Sequence, residues 1–357
     1  MNSLFIVNII CIAAISFFVS LALIPLIKLY CDKNGIHDYV CERKVHNGKI
    51  SRLGGLAIFV GFMCSFIYIL IFDFEVAFSK SLFIIAMLVA FLTGFIDDLY
   101  KIKARYKLIL QLITGLLVAL AGLQLNKVTV ATGVEIYFGV FSYVLTIIWI
   151  AGFMNAINLL DGRDGLASGI VIIALLFGAV IGYLQNSIVV TFLSLALAGA
   201  IFGFFIFNYP PAKIFMGDGG AYFLGFMYSV LPLMGIKKAS SITLFLIPLV
   251  LLLIPVMDML MVIHKRFSNG YNIFIADKNH IHHRLSHIGF TNKGILAVLY
   301  AYTAILGCFS ILMIYLTPLY SIIVLLLLIL LTLLAFYTIS VAEKQIEDLE
   351  KKKSKKI

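Results

Sequence analysis

Runs of about twenty apolar residues recur along this chain and leave it no route to a water-soluble core. They lie at 3–27, 53–72, 81–96, 108–125, 141–157, 165–183, 188–207, 219–236, 241–263, 294–316 and 319–341. A bilayer core of ~30 Å takes roughly 20 residues of helix, and a segment surrounded by lipid satisfies its own backbone only as a helix. The expected fold is an all-α polytopic membrane protein with about eleven transmembrane helices. Charged residues make up 12% of the chain, against the ~25% usual in soluble domains, so the runs are not the interior of a large soluble protein. The first run lacks the basic start and small-residue cleavage site of a removable signal and is read as a retained helix. No internal repeat and no inverted pair of broken helices is visible.

If successive spans alternate, the segments 31–52, 97–107, 158–164, 208–218, 264–293 and 342–357 share one face. With the adjoining helix ends they hold 23 of the 27 Lys and Arg. The opposite face keeps Lys80, Lys127, Lys237 and Lys238. Lys/Arg excess in short loops marks the cytoplasmic side, which places the N-terminus outside and the C-terminus inside. Asp and Glu divide 14 to 3 in the same direction, the outer three being Asp73, Glu75 and Glu135, and all seven His fall inside. The lysine rule accounts for neither ratio, so something on the inner face needs carboxylates and imidazoles. On the outer face, Asn126–Phe138 alternates β-branched and polar residues around Thr132-Gly133, the pattern of a short hairpin. The cysteines receive no role: Cys11, Cys64 and Cys308 lie in spans and Cys31 and Cys41 in an inner loop.

Five inner segments carry the polar chemistry. Asp97-Asp98 ends an apolar run and is followed by Lys101, Lys103, Arg105 and Lys107; charge at a membrane edge is costly unless paired, hydrated or metal-bound. Neutralisation by those lysines explains one Asp better than an adjacent pair. Asn155-Ala156-Ile157-Asn158-Leu159-Leu160-Asp161-Gly162-Arg163-Asp164-Gly165 holds two Asp-Gly turn signals. A plain connector explains its glycines but not its paired amides and carboxylates. Asn208–Ala221 places Asp218 between Gly217 and Gly219 at the opening of a helix, where free N–H groups favour an anion and an N-cap Asp is the simpler alternative. His280, His282 and His283 precede Arg284; such a cluster either binds a transition metal or contacts phosphate and shuttles protons. Arg43-Lys44-Val45-His46 and Arg52-Leu53-Gly54-Gly55 are equally ordinary positive-inside residues. Asp258, near the end of the ninth run, has Lys265 and Arg266 as its nearest sequence partners.

Gathered on one face, carboxylates favour Mg²⁺ held by one or two side chains plus substrate phosphates. Basic residues and glycine-rich helix starts then suggest a diphosphate substrate, and the membrane edge suggests a lipid as the second one. The reaction class that follows is metal-assisted phosphoryl transfer from a soluble nucleotide to a membrane-bound acceptor.

The same motifs carry a resemblance. RKVH…RLGG, DDLYKIKARYKL, NAINLLDGRDGL, NYPPAKIFMGDGGAYFLGF and DKNHIHHRL occur in the order seen in the polyprenyl-phosphate N-acetylhexosamine-1-phosphate transferases, glycosyltransferase family 4. HIHHRL resembles the WecA/TagO branch and not the three consecutive histidines of MraY. Two positions depart from the family pattern: Ala221 lacks the usual hydroxyl, and Arg163 stands where an apolar residue is commoner. The resemblance implies a single transmembrane catalytic domain over 1–341 with a basic cytoplasmic tail over 342–357, in the inner (plasma) membrane with its site facing the cytoplasm. It implies Asp218 and Asp98 as ligands of Mg²⁺ (or Mn²⁺), and Asp97, Asp98, His282 and His283 as catalytic, with Asp97 taking the acceptor's proton. Lys107, Asn158, Asp161, Asp164, Asn208, Phe215, His280, Arg284, Arg43 and His46 are the implied substrate contacts, Phe215 lying against the uracil. The implied substrates are a UDP-HexNAc, UDP-GlcNAc first, and undecaprenyl or another polyprenyl phosphate. The products are polyprenyl-diphospho-HexNAc and UMP, which would begin an O-antigen, teichoic acid or related envelope glycan. A homodimer is allowed and no nucleic-acid partner is expected. The rival is a cation- or proton-coupled transporter, which needs ionisable groups near mid-membrane.

Overall fold

The apolar runs fold as helices. A computed structural model describes residues 3–37, 50–71, 78–129, 134–236, 242–268 and 280–354. Its helices are α1 (Ser3–Asn34), α2 (Gly54–Ile71), α3 (Lys80–Tyr100), α4 (Ala104–Leu120), α5 (Phe141–Leu160), α6 (Leu166–Leu184) and α7 (Ile188–Asn208). They continue with α8 (Gly217–Ile236), α9 (Ile242–Leu251), α10 (Leu253–Ser268), α11 (Ile281–His287), α12 (Asn292–Ile314) and α13 (Pro318–Ser354). Between α4 and α5, strands β1 (Lys127–Thr129) and β2 (Glu135–Tyr137) pair antiparallel, Lys127 opposite Tyr137 and Thr129 opposite Glu135. This is the hairpin expected at 126–138; its Thr132-Gly133 turn lies outside the described residues.

The expected count of eleven spans is corrected. Eight helices (α1, α2, α3, α5, α6, α7, α12 and α13) are long and apolar enough to cross a membrane, or nine if the bent pair α9–α10 is one span. The run at 108–125 yields α4, only 17 residues long. The run at 219–236 yields α8, which carries Asp218 in its first turn and Pro232 inside. The run at 241–263 is not one helix: α9 and α10 meet at an angle of 80°. Pro255 supplies the reason, because it has no N–H to offer the carbonyl four residues earlier, that of Leu251, and its ring crowds that carbonyl. α13 runs unbroken across 341/342 to Ser354.

α8 is the hub, packed by α2, α3, α5 and α9. Phe223, Leu224, Phe226, Met227 and Val230 are fully covered, as a helix apolar all round requires. On its flank Phe223 meets Phe59 and Phe62 of α2 edge-on, with ring centroids 5.2 and 5.4 Å apart. α1 lies along α7, where Gly199 and Gly203 face Ser16 and Ser20, small residues that let two membrane helices approach closely. This packing brings the ends of α3 and α5 and the starts of α4 and α8 to one place.

Candidate active site

The first turn of α8 is gripped from two sides. The segment before it pairs with residues 51–55: Ser51 and Ile214 form a parallel bridge, Phe215 N–H donates to Ser51 O at 2.8 Å, and Gly54 and Gly55 N–H donate to Phe215 O and Met216 O at 2.9 and 2.8 Å. From α3, Asp98 accepts the N–H groups of Asp218 and Gly219, each at 2.9 Å. Those are orphan donors of a helix start, so Asp98 caps α8 from a neighbouring helix. Gly217 makes the turn possible: its φ is +74°, and a Cβ there would lie 2.2 Å from Arg52 O and 2.5 Å from Asp98 Oδ2.

Asp218 then faces Lys107. Lys107 Nζ donates to Asp97 Oδ2 at 2.9 Å and to Asp218 Oδ2 at 3.1 Å, and all three side chains are mostly buried. Asp97 also accepts the Ile102 N–H at 2.6 Å, which fixes the turn from α3 into α4. Asn158, in the last turn of α5, lies within hydrogen-bonding reach of Asp218. Asp161 follows immediately; burial, with Asp218 and Asp98 close by, pushes its carboxyl well above the usual carboxylate range against the pull of Arg52. The structure thus brings Asp97, Asp98, Lys107, Asn158, Asp161 and Asp218 together. Among the described residues, no three His, Cys, Asp or Glu side chains are arranged to enclose a metal ion by themselves.

Other implied contacts brace the loops. Asn208 is buried and fully engaged: its Oδ1 accepts from Gly165 N and Ser168 Oγ at 2.9 Å each, and its Nδ2 donates to Ile214 O at 3.0 Å. Asp164 accepts the Ala212 N–H at 2.9 Å. Phe215 is half-buried with its backbone in the 51–55 pairing. Arg43 and His46 lie outside the described residues.

The histidines at the start of α11 join this site through Gly162. His282 is 1% exposed, neither ring nitrogen has a hydrogen-bond partner among the described residues, and a Cβ on Gly162 would stand 2.6 Å from its Nε2. His280 stacks on it at 5.8 Å and His283 tilts against it at 4.3 Å. Burial, helped by His283, His280 and Arg163, pushes the His282 imidazole down to about 2. It is therefore neutral at physiological pH, one nitrogen donating and the other accepting. In the unfolded chain an imidazole titrates near ~6.5, so between about 2 and ~6.5 the unfolded state binds the extra proton. The stability this group contributes is complete above ~6.5 and falls as pH drops below it. Thermal unfolding in detergent is expected to show His282→Gln losing less stability than wild type from pH 7 to 4.5 (roughly the upper half of that window). Equal acid sensitivity would show that His282 is not held neutral.

Arg284 turns away from the carboxylates. Its Nε donates to Glu343 Oε2 at 3.1 Å and its Nη2 to Ser340 Oγ, tying α11 to α13. Asp258 does not pair with Lys265 or Arg266. It is 6% exposed and accepts from His280 Nδ1 at 2.8 Å and from Ile281 N–H at 3.0 Å. Lys265 lies seven residues on, about 10 Å along a helix, whereas the 80° bend turns Asp258 toward α11. The sequence signal was an Asp inside an apolar run, which marks a functional or paired group. Arg52, whose charge favours ionisation of Asp161, was likewise hidden among ordinary basic residues. Asp258→Ala is expected to destabilise the protein by about 2–6 kcal/mol, since two buried donors lose their acceptor at ~1–3 kcal/mol each. An unfolding midpoint equal to wild type would exclude that brace.

The chain is similar to known proteins over these helices. Residues 80–236, from α3 to α8, match the family model of glycosyl transferase family 4. A Bacillus subtilis (strain 168) protein named probable undecaprenyl-phosphate N-acetylglucosaminyl 1-phosphate transferase is 36% identical over 80% of this chain and 79% of its own. Two proteins named phospho-N-acetylmuramoyl-pentapeptide-transferase are also similar. That of Streptococcus mutans serotype c (strain ATCC 700610 / UA159) is 35% identical over 67% of this chain and 74% of its own. That of Streptococcus pneumoniae (strain Hungary19A-6) is 30% identical over 72% of this chain and 80% of its own. With these relatives, and with Asp97, Asp98, Lys107, Asn158 and Asp218 converging at the ends of membrane helices, the chain belongs to glycosyl transferase family 4, the membrane-embedded polyprenyl-phosphate sugar-1-phosphate transferases.

Proposed function

We propose that the protein transfers HexNAc-1-phosphate, GlcNAc-1-phosphate first, from a UDP-HexNAc to undecaprenyl or another polyprenyl phosphate, releasing UMP. The observation that carries this is Lys107 held between Asp97 and Asp218 where α3, α4, α5 and α8 meet. A phosphate oxygen of the lipid attacks the sugar-bearing phosphorus of the donor. The bond from that phosphorus to the oxygen bridging it to UMP breaks, and UMP leaves with the electron pair. Asp97 takes the proton of the incoming lipid phosphate where it carries one, and Lys107 offsets negative charge at the transferred group. Asn158 and Asp161 line the approach to Asp218, and neutral His282 offers a donor and an acceptor beside Gly162. Arg284 serves by anchoring α11.

The donor set suits Mg²⁺, with Mn²⁺ as an alternative: Asp218 would supply the principal carboxylate oxygen and Asp98 a second, both oxygens of Asp97 being taken up by Ile102 N–H and Lys107, and such an ion takes one or two carboxylates with substrate phosphates. Bound there, it would neutralise charge on the diphosphate. Asp98, with both oxygens on α8 N–H groups, has only its remaining lone pairs for that purpose. The site faces the cytoplasm in this reading, with the N-terminus outside, and the product begins an envelope glycan. A transporter relay is disfavoured because the carboxylates sit at helix ends. The test is purified protein with radiolabelled UDP-GlcNAc, Mg²⁺ and undecaprenyl phosphate. UMP release is expected, and none across a panel of UDP-HexNAc donors would end the reading.

A further inference from the structure

Arg163 sits between Gly162, which touches His282, and Asp164. Its Nη1 donates to Asn292 Oδ1 at the first residue of α12, so the guanidinium is tethered. Its Nε is buried and has no hydrogen-bond partner among the described residues. A buried donor left bare destabilises a protein, most of all on a charged group, and each such group calls for an explanation. His282, packed against Gly162, likewise has two ring nitrogens without a partner among the described residues. Two adjacent side chains with unused hydrogen-bonding atoms, two residues from Asp161, describe a place prepared for an incoming acceptor.

Charge selects the acceptor. Asp97 and Asp218 share Lys107, and Asp98 holds the first turn of α8 at Asp218, so an anion entering here meets repulsion. Lys107, the cation at their centre, is already bonded to Asp97 and Asp218. Besides the proposed Mg²⁺ and Arg52, whose charge acts on the carboxylate of Asp161, a fixed cation with an unused donor would strengthen diphosphate binding. We propose that Arg163 is a donor-substrate binding residue whose Nε–H takes an anionic oxygen of the nucleotide diphosphate, a role that rests on the transferase reading. The apolar residue commoner at this position in the resembling family would lack that contact.

The experiment compares the full-length wild type, Arg163→Leu and Arg163→Lys in detergent. Binding of UDP, UMP and uridine is followed by calorimetry, and UMP release is assayed alongside. A lost hydrogen bond to a charged group corresponds to roughly 10- to 100-fold. Arg163→Leu is expected to weaken UDP by that factor, UMP by less, and uridine not at all. Arg163→Lys is expected to fall between. The unliganded unfolding temperature of Arg163→Leu is expected to equal or exceed that of wild type, because a bare buried donor has gone, while the rise on adding UDP shrinks. A merely structural arginine gives the reverse, a lower unliganded value with an undiminished UDP response. Unchanged UDP binding, or uridine weakened as much as UDP, overturns the proposal. If Arg163→Leu does not fold, Asn292→Ala, which releases the tether, is expected to weaken UDP about threefold; unchanged binding there also overturns it. Failure of UMP release by wild type, with UDP binding still dependent on Arg163, would sink the transferase reading instead.

Discussion

Asp218→Asn is expected to cut UMP release by at least about 10²–10³-fold, the size of effect seen when one group that stabilises transition-state charge is removed. The substitution is nearly isosteric, and the grip on α8 does not depend on the lost charge. Asp98 still accepts the backbone N–H groups of residues 218 and 219, and the 51–55 pairing is main chain throughout. The variant is therefore expected to insert and to unfold near the wild-type temperature. What disappears is the negative oxygen 3.1 Å from Lys107 and the proposed Mg²⁺ ligand. Asp98→Ala provides the contrast: it bares two N–H groups at the start of α8, so activity and stability are expected to fall together. UMP release against Mg²⁺ concentration, with thermal unfolding of each variant, separates the two. Wild-type turnover by Asp218→Asn would remove Asp218 from the chemistry.

How legible all this was depends on whether the determinant is local. A run of apolar residues must become helix wherever it lies, so the helices could be read directly, and β-branched alternation around Thr132-Gly133 marked the hairpin as directly. The number of crossings could not, because it turns on single residues within runs: Pro255 breaks one apolar stretch into α9 and α10. The candidate site was readable as five segments sharing one face, since inward charge beyond the lysine excess needed a cause. Its internal wiring was not, because the partners are distant in the chain. Asp98 capping α8 spans 120 residues, and Arg284 finding Glu343 spans 59. A carboxylate quoted from a motif looks like a ligand; only the fold shows that both Asp98 oxygens accept backbone N–H groups and that Asn208 has no free amide atom.

Gly94 tests whether the α3–α8 contact makes the site. A Cβ at this position would lie 2.2 Å from the carbonyl carbon and oxygen of Asp218 and 2.4 Å from Gly219 N. Every one of those atoms is backbone, so no side chain can swing aside, and the helices must separate by about 1 Å to reach ordinary contact distances. That separation draws Asp97 and Asp98 on α3 away from Asp218 on α8 and lengthens the 2.9 Å capping bonds. Overpacking of this kind costs about 1–3 kcal/mol, and a displacement of ~1 Å at reacting groups lowers rate by about 10². Gly94→Ala is therefore expected to lower both the unfolding temperature and UMP release, with donor turnover suffering by about 10²-fold. Gly152→Ala is the control, because a Cβ there meets nothing within 4 Å. It is expected to leave turnover unchanged and to gain up to ~1 kcal/mol from the preference of helix for Ala over Gly. Wild-type turnover by Gly94→Ala would mean that α3 and α8 work at a wider spacing, and that the caps Asp98 provides are not what positions Asp218.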